Sequence, residues 1–178
     1  VFLHEDETVS AVGMNDYGRL GVGGDHTSKF TPQKVLQRVG ETGTYLGGVQ
    51  AIAAGFSHTL FLHNDSTISA VGANAWGQLG LGNDLRNRST PEKVSNLSGI
   101  TSLMTNLNHY SLSLIRKDDS IYYSGELSNM FLNRNTSVTT FTQIPINHYL
   151  VNTIAGTPGI TGNTNSTGLA SSFNNPSN

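Results

Sequence analysis

Residues 55–91 read GFSHTLFLHNDSTISAVGANAWGQLGLGNDLRNRSTP, and most of that stretch occurs twice. Residues 1–35 set against 60–94 keep a constant offset of 59, and 19 of the 35 aligned positions are identical. A period of this size marks a repeat architecture, in which each unit buries an apolar face against its neighbour. Within the unit, Leu60, Leu62, Ile68, Ala70 and Gly72 recur at every second position, the period of half-buried strands. Asn64-Asp65-Ser66 separates the two runs and supplies turn chemistry, so the runs form a hairpin. The glycines that follow, Gly77, Gly80 and Gly82, are too closely spaced for a helix, and they recur as Gly18, Gly21 and Gly23. Glycines so placed allow positive φ and close backbone approach, while Leu79 between them is an inward anchor.

The pattern V-x-x-I-A-A-G-x-x-H-T, then L-x-x-D, then V-G-x-N-x-W-G-Q-L-G-x-G and finally T-P is carried by Val49, Ile52 to Gly55, His58-Thr59, Leu62, Asp65, Val71-Gly72, Asn74, Trp76 to Gly80, Gly82 and Thr90-Pro91. It resembles the repeat of the regulator of chromosome condensation family, which builds seven-bladed β-propellers. Residues 43–48 (Gly-Thr-Tyr-Leu-Gly-Gly) before Val49 are similar to the longer inter-blade connection of bacterial members. One departure is consistent: the family's Asp-Gly hairpin is here Asp6-Glu7, Asp65-Ser66 and Asp119-Ser120, which argues against a tight two-residue turn needing glycine, though not against the blade.

The fold expected is therefore an all-β propeller fragment of about three blades, in units near 1–48, 49–99 and 100–150. Val1 aligns with Leu60, inside a unit, so the chain reads as a fragment that needs the remainder of its propeller for closure and is marginal or self-associating alone. The third unit is degenerate. His109 is set at the place of His58, Tyr122 to Gly125 replace Ser69 to Gly72, and Pro145 resembles Pro91. Residues 151–178 are either a Gly/Ser/Asn/Thr linker or the start of an NHL-type repeat. Ile154 to Gly156, Gly159, Gly162, Gly168, Ala170-Ser171, Phe173-Asn174 and Pro176 resemble the latter.

Composition narrows the function. The formal charge is −2 with 12% charged residues, so there is no basic field for nucleic acid. Cysteine is absent, and no apolar run approaches the roughly 20 residues of a membrane-spanning helix. With 18 asparagines and no charged side chain from residue 135 onward, the composition tilts toward an extracytoplasmic or secreted bacterial setting, with the cytoplasm as the alternative. The N-x-S/T triplets at Asn64, Asn87, Asn96, Asn135 and Asn165 follow from that composition.

No metal-ligand spacing, nucleophile elbow or phosphate loop is present, so no catalytic residue, metal or cofactor is assigned. His58 and His109, with Gly13, Gly18, Gly21, Gly23, Gly72, Gly77, Leu79, Gly80 and Gly82, are assigned structural roles. Tyr17 and Trp76 share one position beside the Gly-Leu loop. They either pack on the neighbouring blade or form aromatic anchors on a propeller face, and Arg19 and Arg86 extend that candidate face. Repeated positions are fold-keeping residues and variable ones lie in loops, which favours a non-enzymatic scaffold holding a protein or glycan. Two alternatives stand beside it. The family resemblance implies nucleotide exchange on a small GTPase, and the NHL resemblance implies a lyase or hydrolase in the parent protein.

Overall fold

A computed structural model describes residues 1–144 except 25, 41, 106–110 and 128–135, so His109, Pro145 and the whole of 151–178 lie outside the described residues. The described residues fold as one compact unit, Val1–Ile144, of three antiparallel sheets. The first runs β1 (Phe2–Leu3), β2 (Val9–Gly13), β3 (Lys29–Lys34). The second runs β4 (Val49–Ala54), β5 (His58–His63), β6 (Ile68–Gly72), β7 (Arg88–Lys93). The third runs β8 (Ile100–Thr105), β9 (Leu112–Lys117), β10 (Ser120–Leu127), β11 (Thr136–Gln143). Each is a meander of the kind that forms a propeller blade, and a short 3-10 turn over Asp16–Gly18 opens the first Gly-Leu loop. Among the described residues no helix is long and apolar enough to cross a membrane.

The core lies between blades. Val9, Ala11, Leu20, Val35, Leu46, Val49, Phe61 and Val71 pack as one cluster at the first seam. Leu60, Leu62, Ile68, Ala70, Leu79, Val94, Ile100 and Ile115 pack as another at the second. Phe61 and Leu60 are sequence neighbours on opposite faces of β5, which settles the burial of that strand. All six residues of β5 and all five of β6 are buried. The half-buried strand expected from the alternation is corrected here: a middle blade is covered on both faces, and its polar side chains are buried with their partners. His63 Nε2 meets Ser69 Oγ at 2.8 Å, a pairing repeated at the exposed first blade by His4 and Ser10.

The hairpin turns show how the chain does without the family's glycine. Asp65 Oδ1 accepts from both the N–H and the hydroxyl of Thr67, Ser66 N–H donates to His63 O, and Ser66 takes φ +58. Asp6, Glu7 (φ +63) and Thr8 repeat this arrangement. The turn thus keeps the left-handed residue that the family's glycine supplies, and the aspartate's side-chain bonds hold it there. Those bonds keep the Asp65 carboxyl below its ordinary range, the Thr67 hydroxyl being the main cause. The third hairpin is a two-residue turn without glycine: Lys117 pairs with Ser120 and Asp118 takes φ +53. A left-handed non-glycine residue costs about 1–2 kcal/mol, of which glycine's extra backbone entropy returns about half. Ser66→Gly is therefore expected to raise stability by about 0.5 kcal/mol in urea unfolding, and a loss of stability would show that Ser66 makes an unrecognised contact.

The register fixes which residues are equivalent in the third blade. Gly72 lies opposite His58, and Gly125 lies opposite Leu112. The strand position matching His58 is held by Leu112, so the equivalence drawn from His109 is not kept by the ladder. Likewise β6 pairs Gly72 with Arg88 and Ala70 with Glu92, passing over 89–91, while β10 pairs Gly125 with Val138 and Tyr123 with Thr142, passing over 139–141. Phe141, not Pro145, therefore stands where Pro91 stands.

Candidate functional site

In an antiparallel meander alternate connections emerge at the same end. The turn 55–57 and the Gly-Leu loop 73–87 thus share one end of the second blade, and by the repeat the loop 14–28 shares it on the first. Each loop is wound by an asparagine. Asn74 Oδ1 accepts from Leu79 N–H at 3.0 Å while its amide donates to Asp84 O at 2.6 Å, and Asn15 Oδ1 accepts from Leu20 N–H at 3.2 Å. Asn15 and Asn74 are identical between repeats, a signal of role that the glycines overshadowed in the sequence.

Each loop is then stitched to the next blade by its main chain. Gly23 N–H donates to Ser89 O, and Gly82 N–H to Thr139 O, both at 2.8 Å. Thr59 Oγ1 donates to Arg19 O, and the matching Ser113 Oγ to Gln78 O at 2.6 Å. A Cβ at Gly18 would stand 2.5 Å from Ser89 Cα, and one at Gly77 2.7 Å from Thr139 Cα. At Gly21 and Gly80 it would meet Val35 and Phe141, and at Gly23 Leu36. Gly18 and Gly77 are thus where backbone meets backbone, whereas Gly21, Gly23 and Gly80 make room for apolar side chains. At Gly13 and Gly82, by contrast, the space is open and only the positive φ calls for glycine.

While these main-chain groups face the seam, several side chains of the same loops are presented outward. Tyr17 is 49% exposed and Trp76 51%, so the rings stand half in solvent rather than being absorbed between blades. Met14, Phe56 and Leu85 are exposed large apolar residues at the same end. Tyr17 sits at φ +62, an uncommon conformation for an aromatic residue. Arg19 lies 6.0 Å from the Tyr17 ring centroid, donates to Phe56 O at 2.9 Å and pairs with Asp16. It therefore brings Tyr17 and the Phe56 turn together across the first seam. Trp76 holds the same place on the next blade, its N–H on Gln78 Oε1 and its carbonyl on Ser137 Oγ. Phe56 was missed in the sequence because a single aromatic in a short turn carries no repeat signal.

Arg86 is 83% exposed but bonded to Asp84, with Arg88 also on Asp84 and hydrogen-bonded to Glu92. The arginine bonds hold the Asp84 carboxyl well below its ordinary range, Arg86 first among them. Two acids and two arginines leave this cluster without net charge. Among the described residues no three His, Asp or Glu side chains converge as metal ligands would.

His58 belongs to the seam. Its Nε2 lies 2.9 Å from Ser113 Oγ of the third blade, and its ring rests on Gly55, where a Cβ would fall 2.4 Å from Cε1. The single Ser113 hydroxyl proton goes to Gln78 O, so Ser113 accepts from His58 and the proton sits on Nε2. Nδ1 is left buried without a hydrogen-bond partner. Burial in this dry site pushes the imidazole down to about 4.

The regulator of chromosome condensation (RCC1) repeat matches residues 7–62 and 70–104. Residues of the chain are 34% identical over 94 positions to human "Probable E3 ubiquitin-protein ligase HERC6", covering 52% of this chain and 8% of that protein. They are 32% identical over 94 positions to the Arabidopsis thaliana "Ultraviolet-B receptor UVR8", covering 53% and 20%. Among solved structures, human WBSCR16 superposes with a TM-score of 0.59 at 22% identity, over 80% of this chain and 36% of that one. Saccharomyces cerevisiae Prp20p, studied with Gsp1p and histones, superposes at 0.61 and 19% over 80% and 35%. The chain thus spans about a third of the solved structures and much less of the curated relatives.

Proposed function

We infer, from the premise that the chain belongs to the RCC1 repeat family, that this segment is a non-enzymatic scaffold which holds a protein on its loop face. The observation that carries the reading is the half-exposed Tyr17 and Trp76 at one position of successive blades, on loops whose main chain is bonded to the next blade at Gly23 and Gly82. Rigid, exposed aromatic side chains are the residue types that anchor interfaces at low entropic cost. A protein is favoured over a glycan because Prp20p is described with Gsp1p, histones and Kap60, all proteins. Nucleotide exchange on a GTPase is weaker, since it rests on that neighbour's fold at 19% identity. The ligase activity in the HERC6 name belongs to a protein of which this chain matches 8%. An extracytoplasmic setting and an NHL-type continuation over 151–178 complete the proposal, and both rest on the sequence alone.

The test is affinity capture from an extract of the parent organism, comparing the chain with a Tyr17→Ala, Phe56→Ala, Trp76→Ala variant. Truncating anchors of this kind costs about 2 kcal/mol each, so the variant is expected to retain less than a tenth of the captured protein. Its melting temperature is expected to stay within about 2 °C, because exposed side chains contribute little to stability. Equal capture by both proteins would place the interface elsewhere.

A further inference from the structure

The two seams are built alike but closed differently. At the first, residues 35–48 connect the sheets and fold back, with Leu36 bridged to Tyr45. Leu36 N–H donates to Gly21 O at 2.9 Å, and Val39 N–H to Pro91 O at 3.0 Å on the outer edge of β7. Leu36 lies against Gly23, and Pro91 is buried. At the second seam the connection is only 94–99. The repeat puts Gly80 at the place of Gly21 and the register puts Phe141 at the place of Pro91. Among the described residues nothing donates to Gly80 O as Leu36 does to Gly21 O. Phe141, which the ladder passes over, is only partly buried although it packs on the core. Between them lies a groove of ≈ 270 Å³ lined by Gly80, Val94, Ser95, Asn96, Leu97 and Phe141.

We propose that this groove binds a short extended segment of a partner protein carrying an aliphatic side chain, seated as residues 36–39 seat themselves at the first seam. The internal example sets two requirements, a main-chain N–H for Gly80 O and a second for the outer edge at Phe141, and the groove's own lining sets the third, an apolar side chain between Leu97 and Phe141. This is strand-like addition to a sheet edge with one side-chain pocket. The volume is below that of small-molecule sites and suits about one large side chain. None of Tyr17, Phe56 and Trp76 lines the groove, so its test is separate from that of the loop-face variants.

The experiment titrates a synthetic peptide of residues 35–48 into the isotopically labelled chain of 178 residues and follows backbone amide shifts. Saturable shifts centred on Gly80, Leu97 and Phe141 are expected, and a scrambled peptide should produce none. Leu97→Glu should weaken the peptide at least 10-fold. Replacing 94–99 with the sequence of 35–48 should abolish binding by closing the groove from within. Thermal melts confirm that each variant is folded, and either variant alone suffices. Equal shifts from the scrambled peptide, or unchanged binding by a folded variant, overturn the proposal. So does an absence of peptide shifts together with movement of the amides of 145–178 on Leu97→Glu, which would make the chain its own occupant.

Discussion

Gly72→Ala is expected to cost about 3–5 kcal/mol and Gly125→Ala at least as much, while Gly13→Ala costs only about 1–2 kcal/mol. The three glycines hold equivalent places in their sheets, Gly13 and Gly72 at the end of β2 and β6 and Gly125 within β10, and share a backbone closed to side chains, with φ of +110, +111 and +99. They differ in what a Cβ would meet. At Gly13 nothing lies within 4 Å, so the substitution carries conformational strain alone. At Gly72 the new atom would sit 2.5 Å from Ser57 O and 2.7 Å from His58 Cα, and at Gly125 1.8 Å from Ser111 O. Those neighbours are backbone, so relief requires moving β5 or β9 and with them the seam bonds of Thr59 and Ser113. A domain is stable by about 5–15 kcal/mol in all, so the Gly72 and Gly125 variants should melt far below the parent, with Gly13→Ala a few degrees below it. Urea unfolding of the three variants decides the matter. Equal losses at all three would mean that strain alone, and not close approach, dictates these glycines.

That contrast also explains what could be read in the sequence. Gly18/Gly77 recur because a fixed backbone approach between blades leaves one residue type, Gly21/Gly80 because a packed side chain and a positive φ do the same, and such constraints are visible wherever the unit is copied. The loop asparagines, Asn15 and Asn74, were equally visible as identities, but their side-chain bonds to Leu20 and Leu79 required coordinates. Alternation within β5 was misleading because its polar members are buried against the facing blade, where His58 and Thr59 find partners beyond their own unit. The third blade was misaligned for a related reason. Its hairpin is shortened to Asp118-Asp119, so Leu112 lies one residue nearer to Gly125 than His58 lies to Gly72, whereas aligning the histidines at His109 reads the same stretch as an insertion of about two residues. Likewise Phe141 has none of proline's sequence prominence, and only the ladder reveals that it occupies the same bulge as Pro91. The loop face was half legible: the aromatic position was repeated, whereas Phe56 joins it through the carbonyl that Arg19 holds, a link no repeat reveals.

The seam that His58 occupies makes the fold sensitive to mild acid. In the unfolded chain the imidazole titrates near 6.5, and in the folded protein burial holds it to about 4. Above pH 6.5 both states carry the neutral ring and stability does not depend on it. Between pH 6.5 and 4 the unfolded chain binds a proton that the folded chain refuses, so stability falls as pH falls. At about 1.4 kcal/mol per pH unit the full loss is about 3 kcal/mol, complete once the pH is below the folded value. The geometry gives the reason. Nε2–H is committed to Ser113, whose own proton is committed to Gln78 O, so a second proton must enter at Nδ1, which has no acceptor facing it. His58→Leu copies the residue that the third blade carries at this place, and it leaves the Ser113 to Gln78 bond intact. It is expected to cost about 1–2 kcal/mol at pH 7.5, from lost packing on Gly55 and the lost bond to Ser113. It should also flatten the fall in stability between pH 6.5 and 4, so that parent and variant become nearly equal close to pH 5. Urea midpoints measured every half pH unit test this directly. A variant whose stability falls through that interval as steeply as the parent's would show that the acid sensitivity lies in other groups and that the blade seam is indifferent to this proton.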